Sequence, residues 1–364
     1  MQRLLWGGEE EIAVRTRVPD YYESFQCWAG ACPHSCCIGW EVVVDEDTAL
    51  RYAQETGPLG ERLRAALQRD GEGDLCFPLR GGRCPFLDGE NLCEIHRELG
   101  EAATSATCRE HPRFTEEYGP FREISLAASC PAANALLLGS REPLTFQEWE
   151  TPEAAETGDP WLEPLLAVRT RMLALLEDRT RPLRRRLNAI LALAQAAQPL
   201  LDRDRGELLP DLAAEWRPAV ESVPPGPGLF PAAQRFLAEL ECLEPDWRAL
   251  LHQSETAAPV PADEALLERI TDYFLFRQIL KTVNDGDLLS RTALCVFAVL
   301  TVERISAICG LPEALRRFSR EVEHDSDNLE DLRAFLWEGG VLDRIRRELA
   351  QGSECLCASC SSDG

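Results

Sequence analysis

From residue 146 to residue 350, apolar residues recur every three or four positions with arginine and glutamate between them, the periodicity of amphipathic helices sharing one core. The run "WLEPLLAVRTRMLALLEDRTRPLRRRLNAILALAQAAQPLL" predicts two helices, with Pro182 in the first turn of the second. The most apolar segments are "LLERITDYFLFRQILKTV" and "RTALCVFAVLTVERISAICG", and Cys295 and Cys309 in the latter read as small core residues. Proline-rich stretches at 216–231 and 256–263 interrupt the pattern and read as linkers or loops.

Residues 1–145 follow no such period. "WEVVVDEDTALRYAQE" predicts a short strand at 40–45 and then a helix capped by Asp47 or Thr48, because β-branched residues give way to Ala, Leu and Arg. Elsewhere Gly, Pro and Cys dominate this region. The expected fold is therefore mainly α. It comprises a loop-rich, cysteine-coordinated region at 1–145 with one or two short strands, helical regions at 146–215 and 232–350 joined by the linker 216–231, and a flexible tail at 351–364.

Composition narrows the function. A chain of 364 residues that is 45% hydrophobic can bury a sizeable core, and a net charge of −24 argues against nucleic acid or an anionic membrane surface as partner. The N-terminus carries acids and arginines instead of an apolar secretory run, and no stretch offers 18 consecutive apolar residues, so a cytoplasmic location is expected. In a reducing compartment, fifteen cysteines point to metal binding or catalysis rather than to disulfides.

Those cysteines are concentrated near the N-terminus, as Cys27-x4-Cys32-x3-Cys36-Cys37 followed by Cys84, Cys93, Cys108 and Cys130. Eight thiols set among glycine and proline turns are a strong metal signal. Zinc knuckles favour paired CxxC spacings, which this region lacks, so its irregular gaps suit an iron–sulfur cluster better, with zinc as the alternative metal. The radical-enzyme motif Cx3Cx2C fails, since Gly39 stands where its third cysteine belongs. Adjacent Cys36 and Cys37 cannot face one site from a regular helix or strand, so either they lie in an irregular turn or they serve different partners. His34, His96 and His111 lie close to the thiols in sequence, and the tail holds Cys355, Cys357 and Cys360. Neither a dinucleotide-binding glycine motif nor a phosphate-binding loop occurs.

Four stretches, "VPDYYESFQCWAGACPHSCCIGWEVVVDEDT", "CPFLDGENLCEIHRELG", "TCREHPRF" and "REISLAASCP", together resemble the flagellin lysine-N-methylase family, one of a wider group of zinc- or iron-chelating cysteine-cluster proteins. The likeness continues through "LLEDRTRPLRRRL", "DYFLFRQILKTVNDGDLLSR" and "FSREVEHDSDN". It implies methyl transfer from S-adenosylmethionine to lysine ε-amines of flagellin by a protein carrying a 4Fe-4S cluster. Ligand candidacy carries over to Cys27, Cys32, Cys36, Cys37, Cys84, Cys93, Cys108 and Cys130 only, more than one cluster needs. Cys76 and the tail cysteines lie outside the pattern, and His111 stands where an aromatic residue is expected.

Methylating an amine requires a neutral lysine aligned with the sulfonium, and "FSREVEHDSDN" is the candidate site, with Glu323 or His324 taking the amine proton. The alternative is a non-enzymatic zinc- or iron-binding module whose helical half docks a partner.

Overall fold

The structure is a computed structural model that describes residues 12–71, 73–153, 157–219, 225–257 and 263–351. The expected flexible tail, with Cys355, Cys357 and Cys360, lies outside the described residues.

Helices dominate, as the periodicity requires. The helix Leu288–Cys309 runs through the centre of the larger core, and every residue from Leu288 to Val302 is buried. Helices Leu183–Leu201, Glu264–Gln278 and Leu311–Phe318 pack around it. Its length and apolarity would allow it to cross a membrane, but these neighbours already cover it, as expected of the central helix of a core. Cys295 is fully buried within it, whereas Cys309 at its end is half-buried. Pro182 precedes the second predicted helix instead of entering it. Its ψ of 145° is extended, and the helix begins at Leu183.

Strands are more numerous than the one or two expected. In chain order they are β1 (Ile12–Pro19), β2 (Val42–Val43), β3 (Gln68–Arg69), β4 (Leu75–Phe77), β5 (Arg113–Glu117), β6 (Phe121–Leu126) and β7 (Phe146–Glu153). One sheet has the order β5-β6-β1-β7, with β1 parallel to β6 and antiparallel to β7. The other is a small antiparallel sheet of order β2-β4-β3. Because β7 pairs with β1 from Ile12↔Glu153 to Pro19↔Phe146, the larger sheet crosses the expected boundary at 145/146.

The region around the cysteines has a core of its own, built from Val42, Val44, Tyr52, Leu59, Leu63, Phe77, Phe86 and Ile95 together with the Cys84 thiol. Cys37 and Cys93 pack against its edge. The strand expected at 40–45 shrinks to β2, because Asp45 caps the helix Glu46–Gln54 in place of Asp47 or Thr48. The Asp45 carboxylate accepts from Thr48 N at 2.9 Å, and its second oxygen accepts from Ala106 N at 2.8 Å. One side chain thus caps a helix and anchors the short helix Ala106–Glu110 that carries Cys108.

Candidate metal centre and adjoining ring cluster

The Cys36-Cys37 step lies in a turn closed by Ile38 N donating to Ser35 O. Cys84 N donates to Cys37 O and Gly39 N to Gly82 O, so the loop is fastened to the strip that bears Cys84. The described cysteines are all free thiols; Cys27, Cys36 and Cys108 are exposed, Cys32, Cys37, Cys93 and Cys130 half-buried, and Cys76 and Cys84 buried.

Electrostatics groups the eight candidates into two overlapping sets, with Cys27 bearing on members of both. Cys37 is central to the first. Its sulfur accepts a hydrogen bond from the Cys36 thiol, and this bond, with Ser35 and Arg83 assisting against burial, holds Cys37 down to about 7 while Cys36 is pushed far up. Burial raises Cys84 to about 12 and Cys108 to about 11, and it raises Cys93 as well; the charge of Cys37 adds to all three. In the second set, burial raises Cys130 and Cys32, with Cys27 adding to both and Cys32 adding to Cys130. Cys76 belongs to neither, since it sits on β4 with its sulfur 3.4 Å from a Glu41 carboxylate oxygen.

The chemistry of this donor set fits a thiophilic metal or an iron–sulfur cluster. Crowded thiols that burial and mutual repulsion keep protonated are those a cation would deprotonate on binding. Cys93 and Cys130 each stand at the start of a short helix, where the amides of Ile95 and His96, and of Ala132 and Ala133, favour the thiolate against burial. Among the described residues no three Cys, His, Asp or Glu side chains converge closely enough to hold one ion, so the thiols are neighbours and not a finished coordination shell. His34 faces Glu313 at 3.7 Å, and His96 is exposed on its helix.

Next to the thiol loop, rings from three segments meet. Trp40 ends the loop, His111 and Phe114 flank the start of β5, and His324 follows a π-helical turn at Ser319–Glu323, a distortion that tends to mark functional sites. The His324 ring lies 5.1 Å from Trp40, 5.2 Å from Phe114 and 6.0 Å from His111, all four rings being half-buried. Guanidinium groups close the stack at both ends, Arg320 at 4.0 Å over Trp40 and Arg277 at 4.1 Å over Phe114. His111 adds one more ring to the stack, 6.1 Å from Trp40.

The two residues proposed for catalysis fall into different surroundings. Glu323 is buried and fully engaged, accepting from Tyr273 Oη at 2.8 Å and from Arg277 Nε at 2.8 Å, while Arg277 also donates to Ser125 Oγ. His324 shares a 2.6 Å hydrogen bond between Nε2 and Ser129 Oγ, and its Nδ1 has no partner among the described residues. Burial, assisted by His111, Arg277 and Arg320, lowers His324 to about 3, so its ring is neutral at physiological pH. Burial and Arg320 likewise lower His111 to about 4. Sequence reasoning missed Trp40, Phe114, Ser129, Tyr273 and Arg277 as partners of this ring cluster, although all five lie inside the stretches that carry the family resemblance.

Residues 26–128, which hold seven of the eight candidate thiols and three of the four rings, match the CxxCxxCC family model, described as "Putative zinc- or iron-chelating domain". The chain resembles the lysine-N-methylases. Over 145 residues it is 28% identical to the lysine-N-methylases of Salmonella choleraesuis and Salmonella typhimurium, an alignment covering 38% of this chain and 36% of each of those proteins. The same identity and span relate it to the flagellar biosynthetic protein FliU of Salmonella muenchen, 85% of which is covered. The chain therefore spans about a third of the length of the lysine-N-methylases it matches. No solved structure matches it.

Proposed function

We propose that this protein is a cytoplasmic protein-lysine N-methyltransferase that moves the methyl group of S-adenosylmethionine to lysine ε-amines of flagellin. A 4Fe-4S cluster would be held by four of Cys27, Cys32, Cys36, Cys37, Cys84, Cys93, Cys108 and Cys130. The observation carrying this reading is the ring cluster, in which a neutral histidine with one free ring nitrogen stands among half-buried aromatic rings beside the thiol loop. Relatives named lysine-N-methylase support the same reaction.

When bound, the cluster would supply a Lewis-acidic iron able to grip the amino-acid end of the sulfonium donor. The chain's own residues do the rest. His111 and the faces of Trp40 and Phe114 turned away from Arg320 and Arg277 offer π surface to a sulfonium or ammonium cation. His324 Nδ1 accepts a hydrogen bond from the neutral lysine amine and aims its lone pair at the methyl carbon, while Ser129 holds the other ring nitrogen. The amine nitrogen forms the new N–C bond as the S–C bond breaks, sulfur keeps the electron pair, and the amine proton leaves to solvent. A histidine held near 3 stores no proton at neutral pH, so its part is alignment more than proton storage. Glu323, with both oxygens engaged, holds Tyr273 and Arg277 in place and does not contact substrate.

The test is incubation of anaerobically purified protein with S-adenosylmethionine and flagellin, read by intact mass. Methyl increments on flagellin are expected, falling on the order of a hundredfold in His324→Ala. Protein that retains its metal but adds no methyl would leave the binding-module reading in force.

A further inference from the structure

The thiol loop and the catalytic candidate are joined by one side chain. Arg320 lies in the π-helical turn that leads directly into His324. Its Nη2 donates to Ile38 O at 2.6 Å, and its guanidinium lies 4.0 Å over the Trp40 ring, so it grips the loop on both sides of Gly39. Gly39 has a φ of +90°, and a Cβ added there would come within 2.5 Å of Arg320 Nη2. The backbone conformation favours glycine, and an added Cβ would push the Arg320 guanidinium off the loop. Cys36 lies within electrostatic reach of the same guanidinium.

The rest of the turn is fixed to the helical body. Glu321 accepts from the amides of Leu243 and Glu244 at 2.8 Å each, and Asn328 Nδ2 donates to Glu321 O at 2.8 Å. Glu323 is tied to Tyr273 and Arg277. Arg320 is the member of this turn that reaches the cysteine-rich region, and Trp40, which it covers, is also one wall of the His324 ring stack.

We infer that Arg320 is a positioning residue that couples the thiol site to His324, because the same guanidinium clamps the Cys36–Trp40 loop and belongs to the turn from which His324 projects. Filling the thiols fixes the loop, the fixed loop holds Arg320 and Trp40, and these hold the His324 ring. By reciprocity, loosening the turn loosens the loop. The inference rests on metal binding by the thiols, one part of the proposed function, and is independent of methyl transfer.

The experiment is hydrogen–deuterium exchange on the full-length protein, reconstituted with ferrous iron and sulfide and then stripped with chelator, with neither methyl donor nor flagellin present. In the wild type, stripping should speed exchange of the amides at 319–326 at least about tenfold. In Arg320→Ala, exchange there should be fast in both states, while at saturating iron and sulfide iron per chain should stay within about twofold of wild type, because the variant keeps every candidate thiol and loses affinity but no donor. Arg320→Lys, which keeps a cation over Trp40 with fewer donors, should recover part of the difference. Gly39→Ala, placed on the loop side, should reproduce the uncoupled pattern and serves if Arg320→Ala does not fold. Exchange at 319–326 that ignores iron loading in the wild type, or that responds to it in Arg320→Ala and Gly39→Ala as strongly as in the wild type, would overturn the inference. Flagellin left unmethylated by a protein that shows the coupling would sink the proposed function and leave this inference standing.

Discussion

Replacing Glu323 by glutamine tests whether its carboxylate holds the fold or performs chemistry. The side chains of Arg277 and Glu323 are 4% and 1% exposed, and the pair lies between helix Glu264–Gln278 and the π-helical turn. Glutamine keeps the shape but removes the charge, and its amide must place a donor against either the Tyr273 hydroxyl or the Arg277 guanidinium. A guanidinium left uncompensated in the interior costs about 3–5 kcal/mol. Burial works against the Arg277 charge, and Glu323, by its charge and hydrogen bond, together with Tyr273 and Glu116 more than offsets it, so the guanidinium stays charged. Equilibrium urea unfolding of the full chain, followed by far-ultraviolet circular dichroism, should therefore show Glu323→Gln destabilised by several kcal/mol. Adding Arg277→Met to that variant should recover part of the loss, because it removes the stranded charge. A Glu323→Gln protein within about 0.5 kcal/mol of the parent would refute the reasoning, since only a surface-like carboxylate is so dispensable.

Three further outcomes are expected. His111 and His324 are held near 4 and 3, below the ordinary histidine value of about 6.5, so the folded state binds fewer protons than the unfolded one across that interval. Their contribution to stability is thus complete above about pH 6.5 and is lost as pH falls toward 4; thermal melts should fall between pH 7 and pH 5, and less so in His111→Phe. Asp45→Ala should lose about 1–2 kcal/mol in the same urea titration, because it uncaps helix Glu46–Gln54 and frees Ala106 N. Cys37→Ser and Cys93→Ser should lower bound iron per chain on anaerobic purification, whereas Cys295→Ala, deep in the helical core, should leave it unchanged.

The helical half was legible because its apolar positions keep a single period, and the helices Leu162–Leu176 and Glu264–Gln278 lie where that period places them. The larger sheet was not, for an equally physical reason. Its inward face on β6 carries Glu123 and Ser125, which are buried because Arg169 and Arg277 meet them, and those arginines come from helices far along the chain. The alternation Val14-Arg15-Thr16-Arg17-Val18 was the available signal for β1, and Val14, Thr16 and Val18 are indeed buried. As an edge strand with mostly exposed side chains, β7 offers little apolar pattern to read.

By itself the sequence determined the class of this protein, mainly helical with a cysteine-rich N-terminal region, because periodicity and thiol spacing are local properties of the chain. It also named the segment Phe318–Asn328, though it could not separate the roles of two neighbouring residues there. Only the tertiary structure decided that Glu323 is locked into an interior ion pair while His324 keeps a free nitrogen among half-buried rings. It likewise decided that Arg320 reaches the thiol loop 282 residues away in sequence. What surrounds a side chain is set by distant segments brought together in folding, and no local pattern encodes it.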